Sequence, residues 1–572
     1  MKSLNKRALA LSIALAVGLV AGCDNNNATL QVGRVLLISI DGMHEVDLQN
    51  WITSHPSSNL AALANTGVVY TAASTTTPSD SFPGMLSMVT GGTPKSTGVY
   101  YDDSYDRTLY APSSNCTGTN NGPGTEVVYD ESIEFDDSKL FSGGINPAYL
   151  PMAKDALGHC KPVYPHQFLQ VNTVFEVIKA AGRYTAWSDK HAAYDLLNGP
   201  SGSGIDDLYT PEINSQIANG GTGAFSNGVN LAGTKATCDG TNSLPVSKVS
   251  DYTTCIPSVE AYDDVKVQAV INEIDGLKSD GSAITAVPTI LGMNFQEVSV
   301  GQKLPVGGYT DAAGTPSNNL AGALAHTDAS IGRMVAELVK QNLASSTLII
   351  ISAKHGQSPI DKTTLSMESG GSGNTTVQDP SGPIGTADPT VDTGSSFTNP
   401  NSGSTTSTNG HLQTDDVGLV WLQNQSSTNI ANVVSQLNSN AAQIFANTLP
   451  SGTIFGSASN GIISGSTLAA IFGDPTSSDP VASARAPNVF IQPNAGVIYS
   501  GSSKKISEHG GGSVNDTHVA LLVSLPSLKA MTVSTAVTTT QIAPTILQSL
   551  GLDPSQLQAV KKEGTVVLPG LF

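Results

Sequence analysis

The fold is decided by a stretch that opens with Val35-Leu-Leu-Ile-Ser-Ile-Asp-Gly42 and runs on to Thr77-Pro-Ser-Asp-Ser-Phe-Pro-Gly84. The first segment is apolar until Asp41, a pattern typical of a buried strand that ends at a carboxylate. The second segment is a turn followed by a helix, because Pro83 suits the first turn of a helix. We therefore expect Asp41 at the carboxyl edge of a sheet and Ser81 at a helix N-terminus, two places where ligands bind.

Helices and strands alternate along much of the remaining chain. Amphipathic segments predict helices near residues 59–64, 172–182, 263–277, 320–338 and 430–437. Apolar runs between them predict strands near residues 68–72, 184–188, 289–295, 348–351 and 417–422. This alternation predicts an α/β fold with a mostly parallel sheet sandwiched by helices.

Polar residues follow several of these strands and are candidates for a site. They are Asp41, the run Asp189-Lys190-His191, the pair Lys354-His355, and His509 in a later loop. Histidine and carboxylate groups on separate loops at one sheet edge are the donors that a Zn²⁺ ion needs. A hydroxyl such as that of Ser81, held beside a metal and a helix N-terminus, favours phosphate chemistry.

These segments resemble the type I phosphodiesterase/nucleotide pyrophosphatase branch of the alkaline phosphatase superfamily. Besides the strand with Asp-Gly and the Ser-Phe-Pro turn, the resemblance includes Met88-Val-Thr-Gly-Gly-Thr-Pro94, Gly98-Val-Tyr-Tyr-Asp-Asp103, His355-Gly356, His509-Gly510 and Thr540-Gln-Ile-Ala-Pro-Thr-Ile-Leu547. It implies an alkaline-phosphatase-like fold and a metal-dependent phosphoester hydrolase, either a phosphodiesterase or a phosphatase.

The resemblance also implies roles for individual residues. Ser81 would be the nucleophile and a metal ligand, together with Asp41, His355 and His509, and the metal would be zinc, as one ion or two. The chain departs from the family at Lys354, which stands where the family has an aspartate ligand. We expect Lys354 to replace a cation's charge near the phosphate.

Further departures affect the second metal and the substrate. Glu297 and Gln302 stand where the family has an aspartate and a histidine, so one metal is better supported than two. At Gly84 the family often has an asparagine that helps to hold the oxyanion. The candidates for substrate contact are Gly84, Asp189, Lys190 and His191.

Two other functions remain open at this point. A family member without metals could be a binding protein of the cell envelope, and Lys354 favours that alternative. A sulfatase is less well supported, because sulfatases carry an arginine where this chain has Met85.

The N-terminus predicts export and a lipid anchor. A basic start and an apolar run from Ala8 to Val20 precede Val20-Ala-Gly-Cys23, which resembles a bacterial lipobox, with an ordinary signal peptide as the alternative. Asp24 resembles a signal for retention in the inner membrane of enteric bacteria. We therefore expect a periplasm-facing lipoprotein of the cell envelope whose inner or outer membrane location is open.

The cysteines agree with an oxidising compartment. Besides Cys23 the chain has Cys116, Cys160, Cys238 and Cys255, which allow three pairings. We expect neighbours to pair, Cys116 with Cys160 and Cys238 with Cys255, because each bridge would then close one polar insertion.

Charge and composition limit the partners and the domain organisation. The net charge of −19 repels polymeric nucleic acid, so the expected substrate is a small phosphoester, and the oligomeric state is open. A Ser-, Thr- and Gly-rich stretch predicts a flexible loop that could cover the site. We expect a signal peptide at 1–22, a lipidated tether at 23–32, the core with its insertions at 33–366, the loop at 367–410, a smaller α+β lobe at 411–493 and the rest of the core at 494–572.

The lipid anchor predicts the behaviour of one variant. Cys23→Ala should release the protein from membranes or block its processing, because the thiol that carries the lipid is gone. Membrane fractionation and the apparent mass of the protein measure this. A variant that still sediments with membranes at the wild-type size contradicts the anchor.

Overall fold

The computed structural model describes residues 30–572 apart from several internal segments. Residues 1–29, with the predicted signal peptide and Cys23, lie outside the described residues. So do residues 117–122, 137–140, 142–143, 214–224, 232–236, 246, 248–251, 284–285, 394–409, 448–449, 451–452, 455–456 and 459. The central part of the predicted flexible loop is among them.

An eight-stranded sheet forms the centre of the molecule. Its strands are β1 (Arg34–Ile40), β2 (Gly67–Tyr70), β3 (Ala186–Ser188), β4 (Asp207–Tyr209), β5 (Ile290–Phe295), β6 (Thr347–Ser352), β7 (Leu521–Ser524) and β8 (Met531–Val533). They are arranged in the order β8-β2-β7-β6-β1-β5-β3-β4. β7 runs antiparallel to both of its neighbours, and the other adjacent pairs are parallel. The predicted mostly parallel sheet is confirmed.

Both faces of the central strand are buried. Val35 and Leu37 of β1 point into one core, which includes Phe82. Leu36 and Ile38 point into the other core. Successive side chains of a strand point to opposite faces, so a continuously apolar strand needs cover on both sides. This explains the helix–sheet–helix layers.

Helices cover both faces of the sheet. They are Glu45–Ser54, Asn59–Ala64, Ser81–Thr90, Pro94–Thr97, Pro165–Phe168, Val174–Ala180, Ile256–Ile274, Glu297–Lys303, Asn318–Lys340, Val514–Thr517, Ile542–Ser549 and Gln558–Glu563. Among the described residues, no helix combines the length and the apolar character that a membrane span requires.

A smaller lobe lies around a four-stranded sheet, with the strands Gly410–Thr414, Gly418–Leu422, Ile462–Ser464 and Val489–Ile491. Its helices are Ser381–Ala387, Ser427–Ser439, Ala441–Ile444, Gly465–Phe472 and Pro480–Arg485. Ser366–Met367, Thr375–Thr376 and Val497–Ile498 form a separate three-stranded sheet. The predicted loop at 367–410 therefore contains regular structure in its described part.

The polar insertions contain short hairpins and both disulfides. Asp103–Asp106 pairs with Thr125–Val128, and Met152–Lys154 pairs with Cys160–Pro162. The remaining short pairs are Ala73–Ser74 with Val537–Thr538, and Thr453–Ile454 with Ser457–Ala458. The bonds Cys116–Cys160 and Cys238–Cys255 are both present, so the predicted pairing is confirmed.

The parallel register brings the ends of several strands together. Ile40, the last residue of β1, lies beside Phe295, the last residue of β5, and Ser39 lies beside Ser352 at the end of β6. Residues that follow these strands therefore meet at one edge of the sheet, close to Asp41.

The close contact between β1 and β5 predicts the effect of one substitution. A Cβ at Gly292 would lie 1.7 Å from the carbonyl oxygen of Leu37, so Gly292→Ala should lower the free energy of unfolding by about 3 kcal/mol or prevent folding. Gly322→Ala is the control, because no atom lies within 4 Å of its added Cβ and alanine favours the helix. Denaturant unfolding that shows equal stability for the two variants would contradict the packing.

Candidate active site

Asp41 is buried at the carboxyl end of β1 among positively charged and amide groups. Its side chain is 1% exposed. Oδ2 accepts a hydrogen bond from Nε2 of Gln296 at 2.5 Å and lies 3.6 Å from Nζ of Lys190. Oδ1 lies 3.9 Å from Nζ of Lys354. Burial alone would raise the pKa of Asp41, but Lys354 and Lys190 together hold it below its usual range, so the carboxyl is ionised.

Ser81 lies between a cation and a base. Nζ of Lys190 donates a hydrogen bond to Oγ of Ser81 at 3.1 Å. On the other side, Nε2 of His355 is 3.4 Å from the same oxygen. Nδ1 of His355 is 2.9 Å from the carbonyl oxygen of Gly356, so Nδ1 carries the hydrogen and Nε2 presents its lone pair to Ser81.

One partner of Ser81 is neutral and the other is positively charged. Burial lowers the pKa of His355 to about 3, against the opposing effect of Asp41, so the imidazole is neutral near pH 7. Burial also disfavours the charged form of Lys190, but Asp41 and Asp189 outweigh it and raise the pKa of this lysine. The ammonium of Lys190 therefore stays charged beside the hydroxyl.

The helix that begins at Ser81 is already capped. Asp80 is its N-cap residue and accepts the backbone N–H of Phe82 at 3.0 Å. The same carboxylate oxygen accepts the N–H of Asp102 at 3.1 Å. Because Pro83 has no N–H, the start of the helix offers few free donors. The expectation that this N-terminus stabilises a phosphoryl group therefore needs correction.

Lys354 does not face Ser81. Its ammonium is fully buried, lies 3.0 Å from Oδ1 of Asp189, and donates a 2.5 Å hydrogen bond to the hydroxyl of Tyr194. Burial lowers the pKa of Lys354, although Asp189 and Asp41 oppose that effect. The predicted position of Lys354 near a phosphate is corrected, because Lys190 holds that place.

His509 meets His355 but not Asp41. The two imidazole rings are 3.8 Å apart between centroids. Nδ1 of His509 is 4.0 Å from Oδ1 of Asp80, and neither atom has a hydrogen-bond partner among the described residues. Burial and His355 lower the pKa of His509, so it is a neutral neighbour of the base.

Two predicted substrate contacts do not reach Ser81 in this arrangement. A Cβ at Gly84 would lie 2.1 Å from the carbonyl oxygen of Lys354, so this glycine is a packing position between the helix and the β6 loop. Nδ1 of His191 lies 2.9 Å from the carboxylate of Glu212, and no contact between His191 and Ser81 is present among the described residues. The carboxylate of Asp189, a third candidate, accepts hydrogen bonds from Lys354 and from the indole N–H of Trp187. Of the four predicted substrate contacts, Lys190 therefore remains as the one that contacts Ser81.

Sequence reasoning missed three residues of this site. Asp80 has a recognisable signal, because aspartate before a helix is a common N-cap. Gln296 follows β5 directly and could have been found by its place at the sheet edge. Tyr194 carries no pattern that sets it apart from other core tyrosines.

A second metal ion does not fit the residues present. The carboxylate of Glu297 lies 2.5 Å from Oγ1 of Thr327 and 2.7 Å from Nδ1 of His326, on the side of the Asn318–Lys340 helix. The amide of Gln302 donates to the hydroxyl of Tyr309 at 2.8 Å. Both side chains are thus engaged in structural contacts.

Lys190 lies between Asp41 and Ser81, where the first metal ion was expected. Nζ of Lys190 contacts both Asp41 and Ser81, two of the four predicted ligands, and an ammonium repels a divalent cation. Among the described residues, Asp41 and His355 are not joined by a third His, Cys, Asp or Glu in a group compact enough to hold an ion. The donor set therefore does not fit the expected zinc centre.

Comparison with protein families matches residues 35–200 and 223–505 to the type I phosphodiesterase/nucleotide pyrophosphatase family. The chain belongs to this family. Its members are phosphoester hydrolases of the alkaline phosphatase superfamily, so the predicted family and enzyme class are confirmed. A search of curated proteins finds no match.

Solved structures share the fold. Wild-type alkaline phosphatase PafA aligns with a TM-score of 0.52 and 14% identity, over 91% of this chain and 96% of that chain. A PafA variant with several substitutions aligns over the same shares of the two chains, with a TM-score of 0.55 and 14% identity. Murine ectonucleotide pyrophosphatase/phosphodiesterase 5 aligns with a TM-score of 0.48 at 11% identity, again over 91% and 96% of the two chains.

The neutral, buried His355 predicts a pH effect on stability. Its pKa is about 6.5 in the unfolded chain and about 3 in the folded protein, so between these values the unfolded chain binds an extra proton. The contribution of neutral His355 to the free energy of unfolding is complete above pH 6.5 and is lost as the pH falls toward 3. The free energy of unfolding of the wild type should fall more steeply than that of His355→Gln, by roughly 1.4 kcal/mol per pH unit.

Urea unfolding at a series of pH values from 7 to 4 measures this difference. His159→Gln is the control, because His159 is 64% exposed and should leave the wild-type slope unchanged. Parallel curves for the wild type and His355→Gln would contradict the buried neutral imidazole.

Proposed function

We propose that this protein is a phosphoester hydrolase in which Ser81 is the nucleophile, His355 is its base and Lys190 supplies the positive charge. The observation that carries the proposal is the placement of the Ser81 hydroxyl, 3.1 Å from the ammonium and 3.4 Å from a ring nitrogen with a free lone pair. A nucleophile next to a base that a third group orients is the arrangement that covalent catalysis requires. Here the carbonyl of Gly356 orients the base.

The first step is attack on phosphorus. Oγ of Ser81 forms a bond to the phosphorus atom as the bond to the ester oxygen breaks, and the hydroxyl proton moves to Nε2 of His355. The alkoxide leaves from the opposite side of the phosphorus atom and takes its proton from solvent. Because burial holds the pKa of His355 far below 7, the imidazole is a weak base and the imidazolium is a strong acid that gives up its proton readily.

The negative charge on the phosphoryl oxygens needs a cation nearby. Lys190 supports this role because its side chain is 15% exposed, whereas that of Lys354 is fully buried. Asp41 holds the ammonium of Lys190 toward Ser81, and Lys354 and Gln296 hold Asp41. Fixed charges of this kind stabilise a transition state without reorganising.

The second step removes the phosphoryl group. Water attacks the phosphoserine from the side that the alcohol has left and gives its proton to solvent, and the bond between phosphorus and Oγ breaks as protonated His355 returns a proton to Oγ. His355 thus acts as the base in the first step and as the acid in the second.

We further propose that the protein acts outside the cytoplasm on a small phosphoester. The lipobox-like Val20-Ala-Gly-Cys23 and the two disulfides support export and anchoring to the cell envelope. The acidic net charge of −19 supports a small substrate over a nucleic acid polymer. A divalent metal such as zinc, expected from the resemblance, is not part of this mechanism.

A binding protein of the cell envelope is the second candidate. It is favoured by the ion pair between Lys354 and Asp189, which neutralises a charge that catalysis could have used. In that case Lys190 and the Ser81 hydroxyl would hold an anion without cleaving it.

Turnover of model esters separates these functions. Ser81→Ala should lower the hydrolysis of nitrophenyl phosphate mono- or diesters by about 10³-fold or more, because the attacking oxygen is absent. Lys190→Met should lower it by about 10²- to 10³-fold. Ser87→Ala in the same helix is the control and should stay within about twofold, because Ser87 contacts Gly84 and Thr539 and not the site.

The same assay identifies the alternatives. Wild-type protein that cleaves no phosphoester but binds phosphate would support the binding protein, and preferential cleavage of a nitrophenyl sulfate would support a sulfatase. Lys354→Asp restores the residue of the family and should lower turnover whether or not Zn²⁺ is added. Activity of this variant that requires Zn²⁺ would contradict the role of the lysines.

A further inference from the structure

A second group of donor residues lies away from Ser81, where an insertion meets the smaller lobe. Asp103 and Glu126 belong to the two strands of one hairpin, in which Asp103 is opposite Val128 and Tyr105 is opposite Glu126. Asp103 and Glu126 are therefore diagonal neighbours on one face of the hairpin. His411 comes from the strand Gly410–Thr414 of the smaller lobe and faces both carboxylates.

The donor atoms of this group converge. One ligand atom from each of Asp103, Glu126 and His411 lies within 4.8 Å of the other two. Nε2 of His411 is 3.3 Å from Oδ1 of Asp103, a separation that two ligands at about 2.0–2.2 Å from one ion would have. Nδ1 of the same ring is 3.9 Å from Oε1 of Glu126, and an ion between the three side chains would take one of the two ring nitrogens.

His411 is the observation that points to a ligand. Its side chain is 2% exposed, and its Nε2 has no hydrogen-bond partner among the described residues. Oδ1 of Asp103, the atom that Nε2 faces, is also without one. Buried polar atoms are usually hydrogen-bonded. These two atoms form an ion pair at 3.3 Å but no hydrogen bond, so each can still take a further partner.

We propose that Asp103, Glu126 and His411 bind one divalent transition-metal ion, separate from the Ser81 site. One imidazole nitrogen and two carboxylate oxygens are the donor set that suits Zn²⁺ or Mn²⁺, whereas Ca²⁺ takes six or more oxygens. The carboxylates are 22% and 17% exposed, which lets the ion enter and lets water complete its coordination.

Such an ion would join two parts of the fold. It would hold the hairpin of the first insertion against the sheet of the smaller lobe. Asp103 directly follows Asp102, whose N–H is bonded to the N-cap of the Ser81 helix. The ion would therefore fix the hairpin close to the active site without belonging to it.

Metal binding to the full chain tests the site. Protein freed of metal by a chelator is equilibrated with Zn²⁺ or with Ca²⁺, and bound metal is measured by mass spectrometry and titration calorimetry. The wild type and His355→Gln should each bind one Zn²⁺ per chain, with Zn²⁺ preferred over Ca²⁺. Glu126→Gln and His411→Gln should each bind Zn²⁺ at least tenfold more weakly.

His159→Gln is the matched control, because His159 and Asp155 form an exposed pair in the same insertion. It should bind Zn²⁺ as the wild type does, and Zn²⁺ should raise the melting temperature of both proteins but not that of Glu126→Gln. If His411→Gln fails to fold, Glu126→Gln still decides the question. The proposal is overturned by wild-type protein that binds no Zn²⁺, by binding that survives in Glu126→Gln, or by binding that His355→Gln abolishes.

Discussion

The buried carboxylate of Asp41 is the constraint on which the site depends. A carboxylate without water needs opposite charge and hydrogen bonds in contact, since an unpaired buried charge is strongly destabilising. Gln296, Lys190 and Lys354 meet that need from three different loops. Their positions then determine the other contacts of the site. Lys354 takes Asp189 as its second partner, and Lys190 is left to contact Ser81.

Lysines and metal ions are different ways to meet the same electrostatic need. A divalent ion accepts several lone pairs, carries two charges and can be lost to the solvent. A lysine only donates, carries one charge and is covalently tethered, so it is present whenever the chain is folded. A site with Lys190 and Lys354 therefore has less positive charge near Ser81 than a two-metal site, and its local concentration of cation is independent of the medium.

The local sequence predicts much of the scaffold. The apolar run before Asp41 and the Ser-Phe-Pro turn have short-range patterns, and β1 and the Ser81 helix form where these patterns indicate. The disulfide pairs are also short-range, since each closes one insertion. These features depend on residues that are close in sequence. A single amino-acid sequence is therefore enough to predict them.

The orientation of side chains in the site depends on partners far along the chain and could not be predicted. Lys354 turns toward Asp189 and Tyr194, about 160 residues away, and the sequence carries no mark of that pairing. His191 is taken by Glu212 in the same way. The His411 group is a stronger example, because its three side chains come from one insertion and from the smaller lobe, and no spacing rule connects them.

Gly84 couples the helix that begins at Ser81 to the loop after β6. Its Cα lies so close to the carbonyl of Lys354 that any side chain at this position displaces the loop after β6. A chain with asparagine at position 84 therefore needs a different path for residues 353–355. Residue 84 and the loop after β6 are thus coupled, and a side chain can be introduced at position 84 only if the helix and the loop change together.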